Sequence, residues 1–369
     1  VNWYVGNDDW PAKNWYASRQ ASPDGKWRFH SWDAEHVLKD VNVNRVGQSP
    51  HGLHARLALN AGYRQLFADH VQRLLFNGGI LTPAAAAASY QARMSEVDSA
   101  IRGESARWGD NSETIPRTRA NWLTTANALL TGYFPNRTTN VLAQLRTANL
   151  MPTLAAPLFS QQGGRIDSGM LLTLSAAAGA QIYYTLDGSE PRLPGGGPAP
   201  GAMLYTDAIP LSATTHVRAR ATNGTIWSAL NAATFARDAS ALRITELMYR
   251  PPRPDAGAYL PDDLEFVELQ NTGDQPLDVS AARFTHGITF QWPTPTVLAP
   301  GQRIVLASNP AALASKYAGI SVFGAYTGTL SDSGERLRLE DAIGTPILDF
   351  VYHGGWYSLA NGAGFSLVA

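Results

Sequence analysis

The 369-residue chain contains no cysteine, which excludes disulfide staples, thiolate metal sites and a cysteine nucleophile. Charge is scarce too. Only 16% of residues are Asp, Glu, Lys or Arg, and the formal charge is −1. So balanced a chain exerts no general electrostatic pull on nucleic acid or anionic lipid. It has no apolar run of membrane-spanning length, and its opening residues do not read as a signal segment. What is there is apolar: 44% hydrophobic residues mark folded protein, not a disordered tail. The length predicts two or three domains. The chain opens on "VNWYVGN" and stops on "GFSLVA", both strand-like, so we read it as a piece of something longer.

Three textures follow one another. Residues 1 to about 33 are aromatic and strand-like. From about 50 to 150 the pattern is helical: in "AGYRQLFADHVQRLLFNGG", Tyr63, Phe67, Val71 and Leu74 recur at helical spacing, and Gly78–Gly79 end the run. Thr82 as N-cap and Pro83 in the first turn predict a long helix with Tyr90, Met94, Val97 and Ile101 along one side. Two more stripes, Trp122/Ala126/Leu129/Tyr133 and Val141/Leu142/Leu145, read as core surfaces. The helices are expected to stop for good near Pro152. Beyond it, short alternating strands separated by turn signals predict β-sandwiches. "AQIYYTLDGSEPR" is a strand and an Asp-Gly turn, and "THVRARATNGTIWS" a hairpin closed by a two-residue Asn223-Gly224 loop. The stretch "RLPGGGPAPGA" lacks the Gly-Lys-Ser/Thr ending of a phosphate loop and reads as an exposed hairpin loop.

Chemistry concentrates in "GNDDWPAKNWYASRQASPDGKWRFHSWDAE", where Asp8, Asp9, Asn14 and Asp33 alternate with four tryptophans. "SPDG" predicts a turn, with Pro23 presetting one φ and Gly25 taking a left-handed one. A two-residue loop at Pro23–Asp24 sets Asn14 opposite Asp33, whereas a bulged three-residue loop sets Trp15 there. In both cases Asn14 and Asp33 finish at the open end of the hairpin, about 5 Å apart if directly opposed. Trp27 and Phe29 on one face and Trp32 on the other are expected to wall the site. With Asp9 five positions before Asn14, the order Asp, Asn, hairpin, Asp is that of a kinase catalytic loop. There one Asp orients the accepting hydroxyl, while the Asn and the second Asp hold Mg²⁺. The competing structural reading makes Asp8 or Asp9 a turn cap, Asn14 a strand-end cap and Asp33 an N-cap, with Glu35 nearby.

The run "GNDDWPAKNWYASRQ…GKWRFHSWDAE" resembles the CotH-like spore-coat kinase family, which shares Asn-x-Asp, then Asn, then Gly-x-Trp and Trp-Asp. The resemblance implies that Asp9 is the catalytic Asp, Asn14 the Mg²⁺-binding Asn and Asp33 the second Mg²⁺ ligand. It further implies a secreted, atypical kinase-like protein that transfers phosphate from ATP to Ser of protein partners. Residues 1–150 then correspond to its mostly helical C-terminal portion. The family's N-terminal lobe, with the ATP-contacting basic residues, is missing, so these residues alone are expected to bind ATP and Mg²⁺ weakly or not at all.

"YYTLDGSEP" within residues 153–236 resembles the chitobiase/hexosaminidase C-terminal domain, and "ITELMYRP", "EFVELQNTGDQPLDVS" and "GERLRLEDAIGTPILDFVY" within 241–369 resemble the lamin-tail domain. Both imply immunoglobulin-like sandwiches. The fold expected is therefore multidomain: an α+β, kinase-like, mostly helical portion followed by two immunoglobulin-like β-sandwiches. Tyr183, Tyr184 and Trp227 suggest sugar stacking, although adjacent strand residues point to opposite faces and one of the tyrosines then belongs to the core. Asp187 is expected to fix its turn, and Glu246, Glu265 and Glu268 to line a solvated strand face. No histidine spacing predicts a metal site. The expected partners are extracellular or cell-envelope proteins, further copies of the chain, or a glycan. The rival to a phosphotransferase is a non-catalytic adhesive or filament-forming protein.

Overall fold

In the computed structural model, which describes residues 1–111, 114–253 and 259–369, three large hydrophobic cores succeed one another along the chain. The first is helical. Its elements are α1 (Asn2–Val5), α2 (Leu53–Leu57), α3 (Ala61–Leu75), α4 (Pro83–Trp108), α5 (Arg119–Ala128) and α6 (Phe134–Thr147). Asn60 starts α3 by accepting the Tyr63 amide, which satisfies one of the orphan N–H groups of the first turn. The Ala68, Val71 and Leu75 stripe is buried, and left-handed Asn77 and Gly78 turn the chain away. Thr82 precedes α4, but its hydroxyl donates to the Gly79 carbonyl and does not cap the helix. Only the first part of α4 reaches the core. Ala86 is buried and Tyr90 packs on Phe134, whereas Val97 on the same stripe is exposed. After α5 a five-residue π-helical turn (Leu129–Tyr133) inserts an extra residue, which lets the consecutive Tyr133 and Phe134 both enter the core.

The buried Arg137 of α6 ties the chain's first turn to this core. Its guanidinium donates to the carbonyls of Trp3, Tyr4 and Val41, at 2.6, 2.6 and 2.8 Å. Those contacts hold α1 in place, immediately upstream of Asp8 and Asp9.

The middle core lies under a five-stranded sheet ordered Gly164–Arg165, Asn231–Ala236, Thr215–Thr222, Gln181–Thr185, Met203–Leu204. Val217, Ala219 and Ala221 alternate inward, as a half-buried strand requires. Arg220 and Thr222 are also buried, and Asp69 of α3 packs onto Arg220 from the opposite face. Arg220 meets both Asp69 oxygens at 2.7 and 2.6 Å, and the Leu230 amide donates to Asp69 as well. The "NG" hairpin has a four-residue loop: Thr222 pairs with Trp227, and the Asn223 side chain accepts from Thr225 and Ile226. The side-chain amide oxygen of Asn223 thus replaces the two-residue turn.

The third core lies between a five-stranded sheet (Val322–Ala325, Arg303–Ala307, Phe266–Asn271, Leu242–Met248, Leu367–Val368) and a four-stranded one (Phe290–Gln291, Arg283–His286, Arg336–Glu340, Pro346–Val351). Trp292, Tyr249 and Tyr352 fill the space between them. Both β-rich regions are consistent with immunoglobulin-like domains. Among the described residues one α-helix does follow Pro152. α7 (Pro310–Lys316) starts where Asn309 caps the amides of Ala311 and Ala312 with Pro310 at the first position. Among the described residues no helix is long and apolar enough to cross a membrane.

Candidate functional site

The loop carrying the first acids is folded by its own polar groups. α1 ends in left-handed Gly6, where a Cβ would press into Val43. The buried Asn7 donates to Asn2 and accepts the Trp10 amide. The Asp9 carbonyl then receives the amides of Ala12 and Lys13, a tight turn that swings Asn14 back. Asn14 Nδ2 donates to Asp9 Oδ2 at 2.7 Å and to the Asp33 carbonyl at 3.4 Å. Its φ of 60° and that of Asp33, 50°, are left-handed, a conformation uncommon outside glycine that Asn and Asp tolerate best.

β1 (Trp15–Arg19) and β2 (Trp27–Ser31) form the hairpin, but in neither expected register. Trp15 faces Ser31, so Asn14 stands opposite Trp32, whose amide donates to the Asn14 carbonyl. The connection is the seven-residue stretch 20–26, inside which Ser22–Gly25 is closed by the Gly25 amide to the Ser22 carbonyl. Gly25 is not left-handed. Glycine is required because a Cβ would collide with the Gln20 carbonyl oxygen. Asn14 and Asp33 still end at the same end of the ribbon. The aromatic residues do not wall that end. Trp27 and Trp32 are 66% and 58% exposed, while Trp10 and Phe29 line a separate pocket of about 370 Å³ with Trp3, Leu53, His54 and Tyr63.

Two neighbours that the sequence reading did not assign complete the cluster. Asp9, Glu35 and His36 each bring a ligand atom within 4.8 Å of the others. Asp8 Oδ1 accepts from His36 Nδ1 at 2.8 Å, and Lys39 and Arg45 lie at 3.4 and 3.9 Å from its other oxygen. Repulsion from Glu35 and a hydrogen bond shared with it raise the Asp33 carboxyl, with Asp9 adding to the effect and Lys13 opposing it. Glu35 is lowered, first by a backbone amide. Desolvation pushes Asp8 up, but the His36 hydrogen bond and the Lys39 charge outweigh it and hold it low. The Asp9 side chain is only 11% exposed, and its Oδ1 is sealed from solvent with no hydrogen-bond donor among the described residues. Spacing could have flagged Glu35, two residues after Asp33. Nothing local marks His36, because its partner Asp8 lies 28 residues away.

The other candidates resolve into structure. Asp187 accepts the Ser189 amide and hydroxyl, fixing its turn as expected. Tyr183 packs on Trp227 and Tyr184 on Tyr205, on opposite faces of their strand. Glu246 and Glu268 face each other across two strands, held by Ser366 and by Thr245 and Arg303. Glu265 does not line a solvated face. It is 1% exposed and accepts from Leu330 N and the Tyr326 hydroxyl, so it belongs to the core. His54 bonds Tyr63, and His51 packs on Trp15.

Residues 161–229 match the chitobiase/beta-hexosaminidase C-terminal domain family, and residues 236–354 the Lamin Tail Domain family. The C-terminal half is thus modular. No curated protein matches the chain. Among solved structures, it is similar to a DUF4876 family protein from Bacteroides thetaiotaomicron VPI-5482, at 15% identity and a TM-score of 0.17. That similarity covers 39% of this chain and 46% of that one, so the chain spans less than half of that relative's length.

Proposed function

We propose that the chain belongs to a secreted or cell-surface modular protein whose N-terminal portion carries a phosphoryl-transfer site and whose two β-rich modules serve attachment. The carrying observation is the Asp9–Asn14 contact at 2.7 Å beside Asp33, with one Asp9 oxygen buried and without a donor. A buried, charged oxygen without a partner is costly in protein alone and fits a nearby cation. Hard oxygen donors suit Mg²⁺, and Asn14 and Asp33 are the residues that would hold it. When bound, the ion neutralises charge on the phosphates of ATP. In this reading Asp9, with Oδ2 fixed by Asn14, would take the proton of an accepting protein hydroxyl. Asn14 uses both amide hydrogens' side of its head group toward Asp9 and the Asp33 carbonyl, which leaves its Oδ1 as the donor for an ion.

The test is a thermal shift with ATP and Mg²⁺ on the protein extended by the expected N-terminal lobe, and on its Asp33→Ala variant. The parent is expected to shift and the variant not to. Equal, null shifts overturn the phosphotransferase reading.

A purely adhesive role is the second reading, favoured by the two matched modules and the Tyr183–Trp227 aromatic pair, 5.7 Å apart. Partners would be envelope proteins, further copies of the chain or a glycan. Retention on chitin or another glycan that is lost in Trp227→Ala supports it. Failure across a broad glycan panel removes the sugar-binding form.

A further inference from the structure

The Asp9 cluster contains a donor that an Mg²⁺ site does not need. His36 Nδ1 is engaged by Asp8, and its other nitrogen, Nε2, lies 3.7 Å from Glu35 Oε1. A carboxylate on one imidazole nitrogen is the arrangement that fixes the tautomer and turns the second nitrogen toward a metal. The three ligand atoms of Asp9, Glu35 and His36 already lie within 4.8 Å of one another. An independent sign that the cluster is incomplete is Asp9 Oδ1, sealed and donorless on a side chain about nine-tenths buried. Lys13, 3.6 Å from Asp9 Oδ2, and Lys39 and Arg45 beside Asp8 offset part of the negative charge, but none of them reaches that oxygen.

We infer that Asp9, Glu35 and His36 form a site for a divalent first-row transition ion, with Asp8 as the group that orients the imidazole. The inference rests on the proposed function only in taking this cluster as a ligand site, and it changes the ion that the cluster prefers. One imidazole nitrogen among carboxylates favours zinc-like ions, whereas Mg²⁺ gains nothing from nitrogen.

Calorimetric titration of the whole chain with ZnCl₂ and with MgCl₂ tests it, together with imidazole ¹⁵N NMR. Zn²⁺ is expected to bind at least about tenfold tighter than Mg²⁺ and to shift the His36 Nε2 resonance. His36→Gln, at an exposed position that the core does not need, is expected to cost about tenfold or more in Zn²⁺ affinity. Mg²⁺ affinity should stay within about twofold, since no nitrogen ligand serves it. Asp8→Asn is expected to weaken Zn²⁺ by about tenfold through the imidazole it orients. Equal Zn²⁺ affinities in parent and His36→Gln overturn the inference, as does no binding of either ion. Zn²⁺ binding without any nucleotide shift in the extended protein overturns the phosphotransferase reading and leaves this one standing. A nucleotide shift with no Zn²⁺ preference does the reverse.

Discussion

Asp9 and Glu265 are both carboxylates withdrawn from water, one in the helical region and one in the lamin-tail region, and their surroundings differ in kind. Glu265 Oε2 accepts two hydrogen bonds, from the Leu330 amide at 2.9 Å and the Tyr326 hydroxyl at 3.2 Å. Burial pushes its carboxyl up to about 7 against the pull of the Leu330 amide. Asp69, at the joint between the first two cores, is likewise committed, to Arg220 and the Leu230 amide. Asp9 has one oxygen engaged and one without a donor. Two donors of the chain converge on Glu265 and Asp69 is held on both oxygens, so these acids are architecture, whereas Asp9 keeps an oxygen that is sealed from solvent and meets no donor, a place for a ligand.

The sharpest way to break this contrast is Asp69→Ala, which strips the buried Arg220 of its bidentate partner and leaves it Glu190 and the Ser228 carbonyl. Losing one member of a buried pair costs about 3 kcal/mol or more, so denaturant unfolding should show the helical and middle regions both weakened. Glu265→Ala is expected to cost about 2–3 kcal/mol, because the Leu330 amide loses its acceptor and a cavity is left. Glu265→Gln keeps an acceptor and should cost less. A smaller effect is pH dependence. Glu265 binds its proton more tightly folded than unfolded, so its contribution is fully present below the ordinary glutamate value of 4.5 and is lost as pH rises through about 7. The parent-minus-Glu265→Gln difference in stability should therefore decline by about 2–3 kcal/mol between pH 5 and 8. A flat difference contradicts the buried, protonated glutamate. The smallest stability effect belongs to Asp9→Asn, expected within about 1 kcal/mol of the parent because the isostere keeps an acceptor for Asn14 and gives up only the ion pair with the exposed Lys13. Its cation binding should nevertheless be abolished.

The contrast also marks what the sequence could reveal. Periodicity exposed α3 and α6, because Phe67, Val71, Leu74, Val141 and Leu145 follow a helical period and lie in or against one core, although in α3 it is Leu75, not Leu74, that is fully buried. It overestimated α4, whose Val97 continues the stripe after the core has ended. Turn chemistry located the "SPDG" and "NG" reversals but not their lengths. The close approach of Gly25 to Gln20 and the side-chain bonds of Asn223 depend on atoms several residues away. Asp9, Asn14 and Asp33 were legible as an ordered set, and the chain brings them to one end of the hairpin despite the altered register. Glu265 and His36 were not legible, because burial by residues 326–330 and pairing across 28 residues are long-range facts.

Anomalous diffraction from crystals soaked in ZnCl₂ tests the central claim most directly. The account predicts a peak bounded by Asp9, Glu35 and Nε2 of His36, absent in Asp9→Asn. A vacant cluster in the parent under saturating ion, or a peak there that persists in Asp9→Asn, would contradict it.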